Sequence, residues 1–382
     1  MKKRILLLLA MFLVVACGTV AGEEEMVTEE STLGEDEPTP IVDGGEMSSE
    51  IDDLMSKYVE GPGGAVMVIQ NGEIVFQNGY GLADIENGLP ITTDSIFHLG
   101  SVGKQFTALG VMILAEQGLV NYDDPIGQYI PELAWMDEGV TIRSLLYHTS
   151  GVLGYDDSDD IYNALVASSD APTNEDLLSV LAEQGGMLTD PGEVYSYSNT
   201  GYEILGSLIE RVSGKKYAAF MDENIFSPLG MTHTFSLPNA QRLDDENIAQ
   251  SYYLDGGQPW TYKPDILDGL TGSGSIYSTL GDMYLYDQAL RNHELVSAET
   301  LEEAFTTGTL NNGEAIDYGF GVELSEYSGY SYIGHSGAWL GFESYYLHIP
   351  EQNLSVVVLL NLDYSEEGAE GIAFSVADLF LK

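Results

Sequence analysis

Phe97-His-Leu-Gly-Ser101-Val-Gly-Lys104-Gln-Phe-Thr-Ala108 is the stretch that decides the reading of this chain. It sets a hydroxyl and an amine three residues apart at the start of an apolar helical run. Residues i and i+3 share one helix face, so Lys104 is expected to reach the oxygen of Ser101. A serine hydroxyl attacks poorly until a base removes its proton, and a lysine does this once its pKa is lowered. Alone, a Ser-x-x-Lys spacing is more often an ordinary helix start, with a capping serine and a solvated lysine. Two further stretches change that balance.

Asp190-Pro-Gly192 marks a turn and is followed by Tyr195-Ser-Tyr197-Ser-Asn199-Thr-Gly-Tyr202. Ile204 to Val212 has the spacing of an amphipathic helix, which places Tyr197 and Asn199 on the loop leading into it. A phenol shuttles protons, and an amide both donates and accepts. Further on, Ile333-Gly-His335-Ser336-Gly337-Ala338-Trp339-Leu-Gly341 follows one strand-like stretch, Gly329 to Ile333, and leads into another, Phe342 to Ile349. Glycine in such a setting marks close approach by a ligand or another backbone.

Taken together, the three stretches resemble the penicillin-recognising serine hydrolases: class C β-lactamases, D-alanyl-D-alanine carboxypeptidases, and related esterases and D-amino-acid peptidases. The Tyr-x-Asn form of the second motif is similar to the class C and carboxypeptidase branch. His335-Ser-Gly337 stands where the lactamases carry Lys-Thr-Gly. Leu145-Leu-Tyr-His148-Thr-Ser-Gly151 looks like a further family hallmark, and the resemblance covers roughly residues 47 to 382.

The resemblance implies a nucleophilic Ser101, a base role shared by Lys104 and Tyr197, and an Asn199 that positions the acyl group. It places an oxyanion hole at the backbone N–H groups of Ser101 and Ala338, with close approach at Gly337. His335 is expected to be neutral and to bond either the Tyr197–Lys104 network or a substrate carboxylate, and Ser336 keeps one hydroxyl. His148 is expected to fix the helix near the site. The implied activity is acyl-enzyme hydrolysis of a small ester or a D-amino-acid peptide. The alternatives are a class C-like β-lactamase, a D-alanyl-D-alanine carboxypeptidase, and a non-catalytic envelope binding lipoprotein of the same fold.

The rest of the chain bounds this reading. Met1-Lys-Lys-Arg4 precedes an uncharged run that ends at Cys17, the single cysteine of 382 residues. The pattern is a signal peptide over 1–17 resembling a bacterial lipoprotein leader, with Cys17 lipidated and the protein anchored to the membrane outside the cytoplasm; the alternative is a plain signal peptide and a secreted protein. A mature chain with no other cysteine has neither disulfides nor thiolate metal sites. Its six histidines show no ligand spacing, and Gly269 to Ser275 lacks a P-loop lysine. Neither metal nor cofactor is expected.

Acids outnumber bases 61 to 13, a formal net charge of −48. Residues 18–54 hold 13 acids and no base, and 18–47 are read as a disordered acidic tether. The −38 remaining on residues 55–382 excludes nucleic-acid binding, which needs a basic footprint. It also disfavours anionic substrates unless the pocket is locally positive. A saline habitat and simple solubility explain the charge equally well.

The expected architecture is α+β, an α/β sandwich. A helix spans Ser48 to Val59. A hairpin joins Gly64–Gln70 and Glu73–Gln77 across Asn71-Gly72. Late strands run over Gly319–Leu324, Gly329–Ile333, Phe342–Ile349 and Leu354–Asn361, and a helix closes the chain at Glu367–Leu381. Strands at both ends around a helical middle imply one antiparallel sheet flanked by helices, with an all-α insert over about 101–291 in a domain of 48–382.

Overall fold

The computed structural model of the chain describes residues 45–136, 139–236, 247–255, 257–262, 265–363 and 367–381. The leader, Cys17 and the tether up to residue 44 lie outside the described residues.

The Asn71-Gly72 dipeptide turns as its composition demands, with φ of 54° and 83°. Two consecutive positive φ angles fit the right-handed twist of a tight hairpin. The turn joins β1 (Gly64–Gln70) to β2 (Glu73–Tyr80). Four strands from the far end of the chain complete the sheet: β3 (Glu323–Tyr327), β4 (Tyr330–Trp339), β5 (Phe342–Ile349) and β6 (Leu354–Leu360). The six strands are antiparallel neighbours in the order β3-β4-β5-β6-β1-β2. The seam between the chain's two ends is the β1–β6 pair, running from Gly64 opposite Leu360 to Gln70 opposite Leu354.

Both faces of the central strands are covered, so β1 and β6 are apolar except at Gln70 and Ser355 rather than alternating. Ala65, Met67 and Ile69 of β1 enter the larger core, while Val66 and Val68 enter the smaller one. The smaller core is closed by α1 (Glu46–Met55), through Ile51 and Met55, and by the C-terminal helix Gly368–Asp378, through Ile372, Ala373 and Val376. The larger core lies between the sheet and the helical region, which includes α2 (Gly103–Glu116), α3 (Asn199–Ser213) and α4 (Leu280–Asn292). Asp287 pins α4 to the sheet: it is fully buried and accepts from Arg291 at 2.6 Å and from the Tyr346 hydroxyl at 2.9 Å.

This is the α+β arrangement expected, with four corrections of detail. The insert is not all-α. Phe97–His98, Ile276–Ser278 and Phe235–Ser236 form a small sheet, and Tyr252–Asp255 pairs with Gln258–Thr261. These runs of two to four residues are too short to show a period. Residues Gly319–Val322 are not strand, because Gly321 (φ 74°) turns the chain against the backbone of Lys104. The helix assigned to Ile204–Val212 begins earlier, at Asn199, where Ser198 caps it by accepting from the Gly201 N–H at 3.1 Å. Finally, α1 starts at Glu46, inside the stretch assigned to the tether.

Candidate active site

Ser101 lies in the Gly100–Val102 turn of 3-10 helix that opens into α2. Gly100 enters that turn with φ 52°. Lys104 sits one turn on and is fully buried. Its amine contacts three oxygens: Ser101 Oγ at 3.1 Å, Asn199 Oδ1 at 2.7 Å and the Ser273 carbonyl at 2.8 Å. The rings of Tyr197 and Tyr202 flank it, with centroids 4.7 and 5.6 Å away. Burial penalises the ammonium, and the distant charges of Glu203 and Asp156 offset this only in part, so the pKa falls to about 7. As a free amine, Lys104 has two N–H bonds, and the Asn199 and Ser273 oxygens can take both. Its lone pair then faces the Ser101 hydroxyl. That is the geometry of a general base.

The loop bearing Tyr197 is splinted by His148. The His148 carbonyl accepts from the Ser196 N–H at 2.9 Å, and Nδ1 accepts from the Ser198 N–H at 3.1 Å. The imidazole also lies against the rings of Tyr197, Tyr202 and Tyr318, at 4.4, 4.9 and 4.8 Å. Burial holds His148 well below its ordinary pKa and therefore neutral. Desolvation raises the Tyr197 phenol, more than the Ser101 hydrogen bond lowers it, so Tyr197 keeps its proton at neutral pH. Asn199 is the first residue of α3 rather than a loop residue. Its Oδ1 faces Lys104, and its Nδ2 donates to Asp156 at 3.1 Å. Asp156 also accepts from the N–H groups of Asn199 and Thr200, at 3.2 and 3.4 Å.

The third motif lies within a strand rather than between two. β4 runs unbroken through His335, Ser336, Gly337 and Ala338, paired with β5 from Ile333 opposite His348 to Trp339 opposite Phe342. Glycine at 337 and at 100 lets this strand lie against the serine turn. A Cβ on Gly337 would sit 2.1 Å from the Leu99 carbonyl oxygen, and one on Gly100 would sit 2.5 Å from the Ala338 nitrogen. The backbones of Ser101 and Ala338 are thereby brought together.

His335 hydrogen-bonds neither Tyr197 nor Lys104. Its Nδ1–H donates to the Ser336 carbonyl at 2.6 Å, and its Nε2 accepts from the Tyr318 hydroxyl at 2.8 Å. It is buried, and desolvation together with Lys104 lowers its pKa to about 3. A neutral imidazole with both nitrogens engaged brings no positive charge to a carboxylate. The Ser336 hydroxyl is likewise turned to Glu323.

A cavity opens on each side of Ser101. One is lined by Tyr155, Asn199, Glu203, Asp268, Tyr277 and Trp339, among others. The other holds Tyr197, His335 and Ser336 together with four glutamates, Glu323, Glu343, Glu367 and Glu370. Burial and the charge of Glu370 raise Glu323 to about 7. Among the described residues, no group of His, Cys, Asp and Glu side chains is placed to hold a metal ion.

Several site residues carried no readable signal. Tyr155 and Asp156 lie in a polar loop, and Glu203 is one of many acids on amphipathic helices. Tyr318 comes from a segment with no motif. Gly269 to Ser275, set aside as a phosphate loop for want of a lysine, delivers the Ser273 carbonyl to Lys104.

The sequence profile described as Beta-lactamase matches residues 51–379. The chain is 34% identical over 324 residues to penicillin-binding protein 4* of Bacillus subtilis (strain 168), covering 81% of this chain and 70% of that one. Among solved structures it is similar to an octameric penicillin-binding protein homologue from Pyrococcus abyssi, with TM-score 0.74 and 29% identity over 88% of this chain and 76% of that one. It is also similar to a penicillin binding protein from Bacillus halodurans, with TM-score 0.73 and 25% identity over 87% and 99% of the two chains.

Proposed function

The chain belongs to the beta-lactamase family, and on that premise we propose that it is a serine hydrolase acting through an acyl-enzyme on Ser101. The observation that carries the reading is the buried Lys104, 3.1 Å from Ser101 Oγ with its pKa lowered to about 7. Ser101 Oγ attacks an ester or amide carbonyl while its proton passes to the Lys104 lone pair. The oxyanion is held by the N–H groups of Ser101 and Ala338; in a well-studied protease, one such donor is worth about 3–4 kcal/mol. Tyr197, protonated and beside Lys104, relays the proton to the leaving group, and water then releases the acyl group by the reverse path.

The preferred substrate is a small ester or a D-amino-acid peptide without a carboxylate beside the third motif. Lysine and threonine are absent at 335 and 336, and four glutamates line the cavity there. A carboxylate entering that cavity meets like charge in place of a cation. The proposed setting is the outer face of a membrane, with the chain anchored through acylated Cys17. A Cys17→Ser protein is expected to leave the membrane fraction of a lipoprotein-processing host.

The deciding experiment is mass spectrometry after treatment with a fluorophosphonate or a fluorescent β-lactam. An adduct on Ser101 is expected, and it should be lost in Ser101→Ala without a change in thermal melt. No adduct with either probe would favour a binding lipoprotein. Rates on p-nitrophenyl esters, nitrocefin and D-Ala-D-Ala peptides, measured side by side, then rank the substrates. Nitrocefin turned over fastest would point to the class C-like β-lactamase.

A further inference from the structure

Glu203 lies on α3 one turn beyond Asn199 and is 1% exposed. Its Oε1 accepts from the Tyr155 hydroxyl at 2.7 Å and the Ser273 hydroxyl at 2.9 Å. Its Oε2 is buried with no hydrogen-bond partner. A buried carboxyl oxygen left unpaired is costly, and it asks for a donor that arrives from outside the protein. Glu203 lines the same cavity as Ser101 and Asn199, so the donor has a route to it.

The rest of that cavity narrows the donor's chemistry. Asp268 supplies a second carboxyl, which accepts from the Trp339 indole at 2.8 Å. Among the described residues no lysine or arginine is in the lining, and His98 there is held neutral by burial, with its Nδ1 accepting from the Gly100 N–H at 2.9 Å. Tyr155, Tyr277 and Trp339 add aromatic walls, which attract cations through their faces. A neutral donor would satisfy one oxygen, whereas a cation also stabilises the ionised form of the two carboxyls, both of which burial raises.

We infer that this cavity is a receptor for a primary ammonium group carried on the acyl part of the substrate, with Glu203 Oε2 as its acceptor. The inference rests on the reading of Ser101 as the nucleophile and narrows its substrate class to amine-bearing esters and amides. Burial raises the Glu203 carboxyl to about 8, so by itself it keeps its proton at neutral pH, and an ammonium seated at Oε2 holds it as the carboxylate.

Hydrolysis of D-alanine methyl ester and methyl isobutyrate, which differ by an ammonium in place of a methyl, tests the assignment by pH-stat. Each kcat/KM is divided by the hydroxide rate of its own ester. The wild type is expected to favour the amine ester at least tenfold, and Glu203→Gln to reduce that preference to within about twofold. No preference in the wild type, or a preference that survives in Glu203→Gln, overturns the inference. Calorimetric titration of the full-length wild type with isopropylammonium and with 2-propanol gives a second readout, which needs neither the variant nor turnover. Ammonium binding without alcohol binding supports the receptor even if Ser101 forms no adduct, in which case only the hydrolase reading fails. Equal binding of the two, or none, removes the receptor.

Discussion

Lys104 is fully buried, in contact with three oxygens, and in no described ion pair. Its lowered pKa therefore reflects burial, and the consequence is a pH dependence with a fixed sign. The base must be unprotonated, so kcat/KM is expected to rise as pH passes upward through about 7 and then level off. Lys104 also affects stability. Between about 7 and its unfolded pKa near 10.5 the unfolded state binds the extra proton, so this residue's contribution to stability grows with pH and is lost as pH falls through about 7. Tyr197 stays a phenol, and in the proposed mechanism it acts with Lys104 as one proton-transfer unit. Lys104→Ala and Tyr197→Phe are each expected to lower kcat by about 100-fold or more, general acid–base steps being worth about 10²–10⁴. The double mutant should lose far less than the product of the two losses. Steady-state kinetics of the three variants checks this, and multiplicative losses would separate the two roles.

At the scale of elements, the site exists because a strand and a helical turn touch through glycine. β4 can lie against the Gly100–Val102 turn only while position 337 has no side chain. Gly337→Ala is expected to push the strand from the turn and separate the Ser101 and Ala338 N–H groups. The predicted cost is about 100-fold in kcat, the size of losing an oxyanion donor, with a lower Tm. Gly186→Ala is the control, since a Cβ there meets nothing closer than 3.8 Å. Arg291 tests the opposite face of the larger core. Its pair with buried Asp287 braces α4 against the sheet, and Arg291→Ala would leave that carboxylate without a counter-charge, held only by the neutral donors of Tyr346, Ser355 and Gln288. A loss of about 3–5 kcal/mol in a urea melt is expected, the usual cost of breaking a buried pair from one side.

For the whole molecule the governing quantity is charge. With 61 acids and 13 bases the chain repels itself, which weakens any compact state. Sodium chloride shortens the Debye length to about 10 Å at 0.1 M, so Tm should rise with salt. In a domain of this size, about 1 kcal/mol of relieved repulsion corresponds to about 2 °C. Carboxylate-bearing peptides should gain more kcat/KM from salt than neutral esters, because only they are repelled on approach. A flat melting temperature across the salt series would show that the acids are held far enough apart not to interact.

Much of this was legible from local pattern. The Asn71-Gly72 hairpin, the closing helix and the Ser101–Lys104 contact all follow from periodicity, turn chemistry or i, i+3 spacing, which act between near neighbours in sequence. Tertiary structure decided what depends on burial and on partners far along the chain. It carried β4 through His335, because pairing with β5 outweighs the glycines. It also gave His335 to Tyr318, lowered the pKa of Lys104 by desolvation, and left Glu203 buried with one oxygen unpaired. A sequence lists donors and acceptors, but only the fold determines which of them lose water and which remain without a partner.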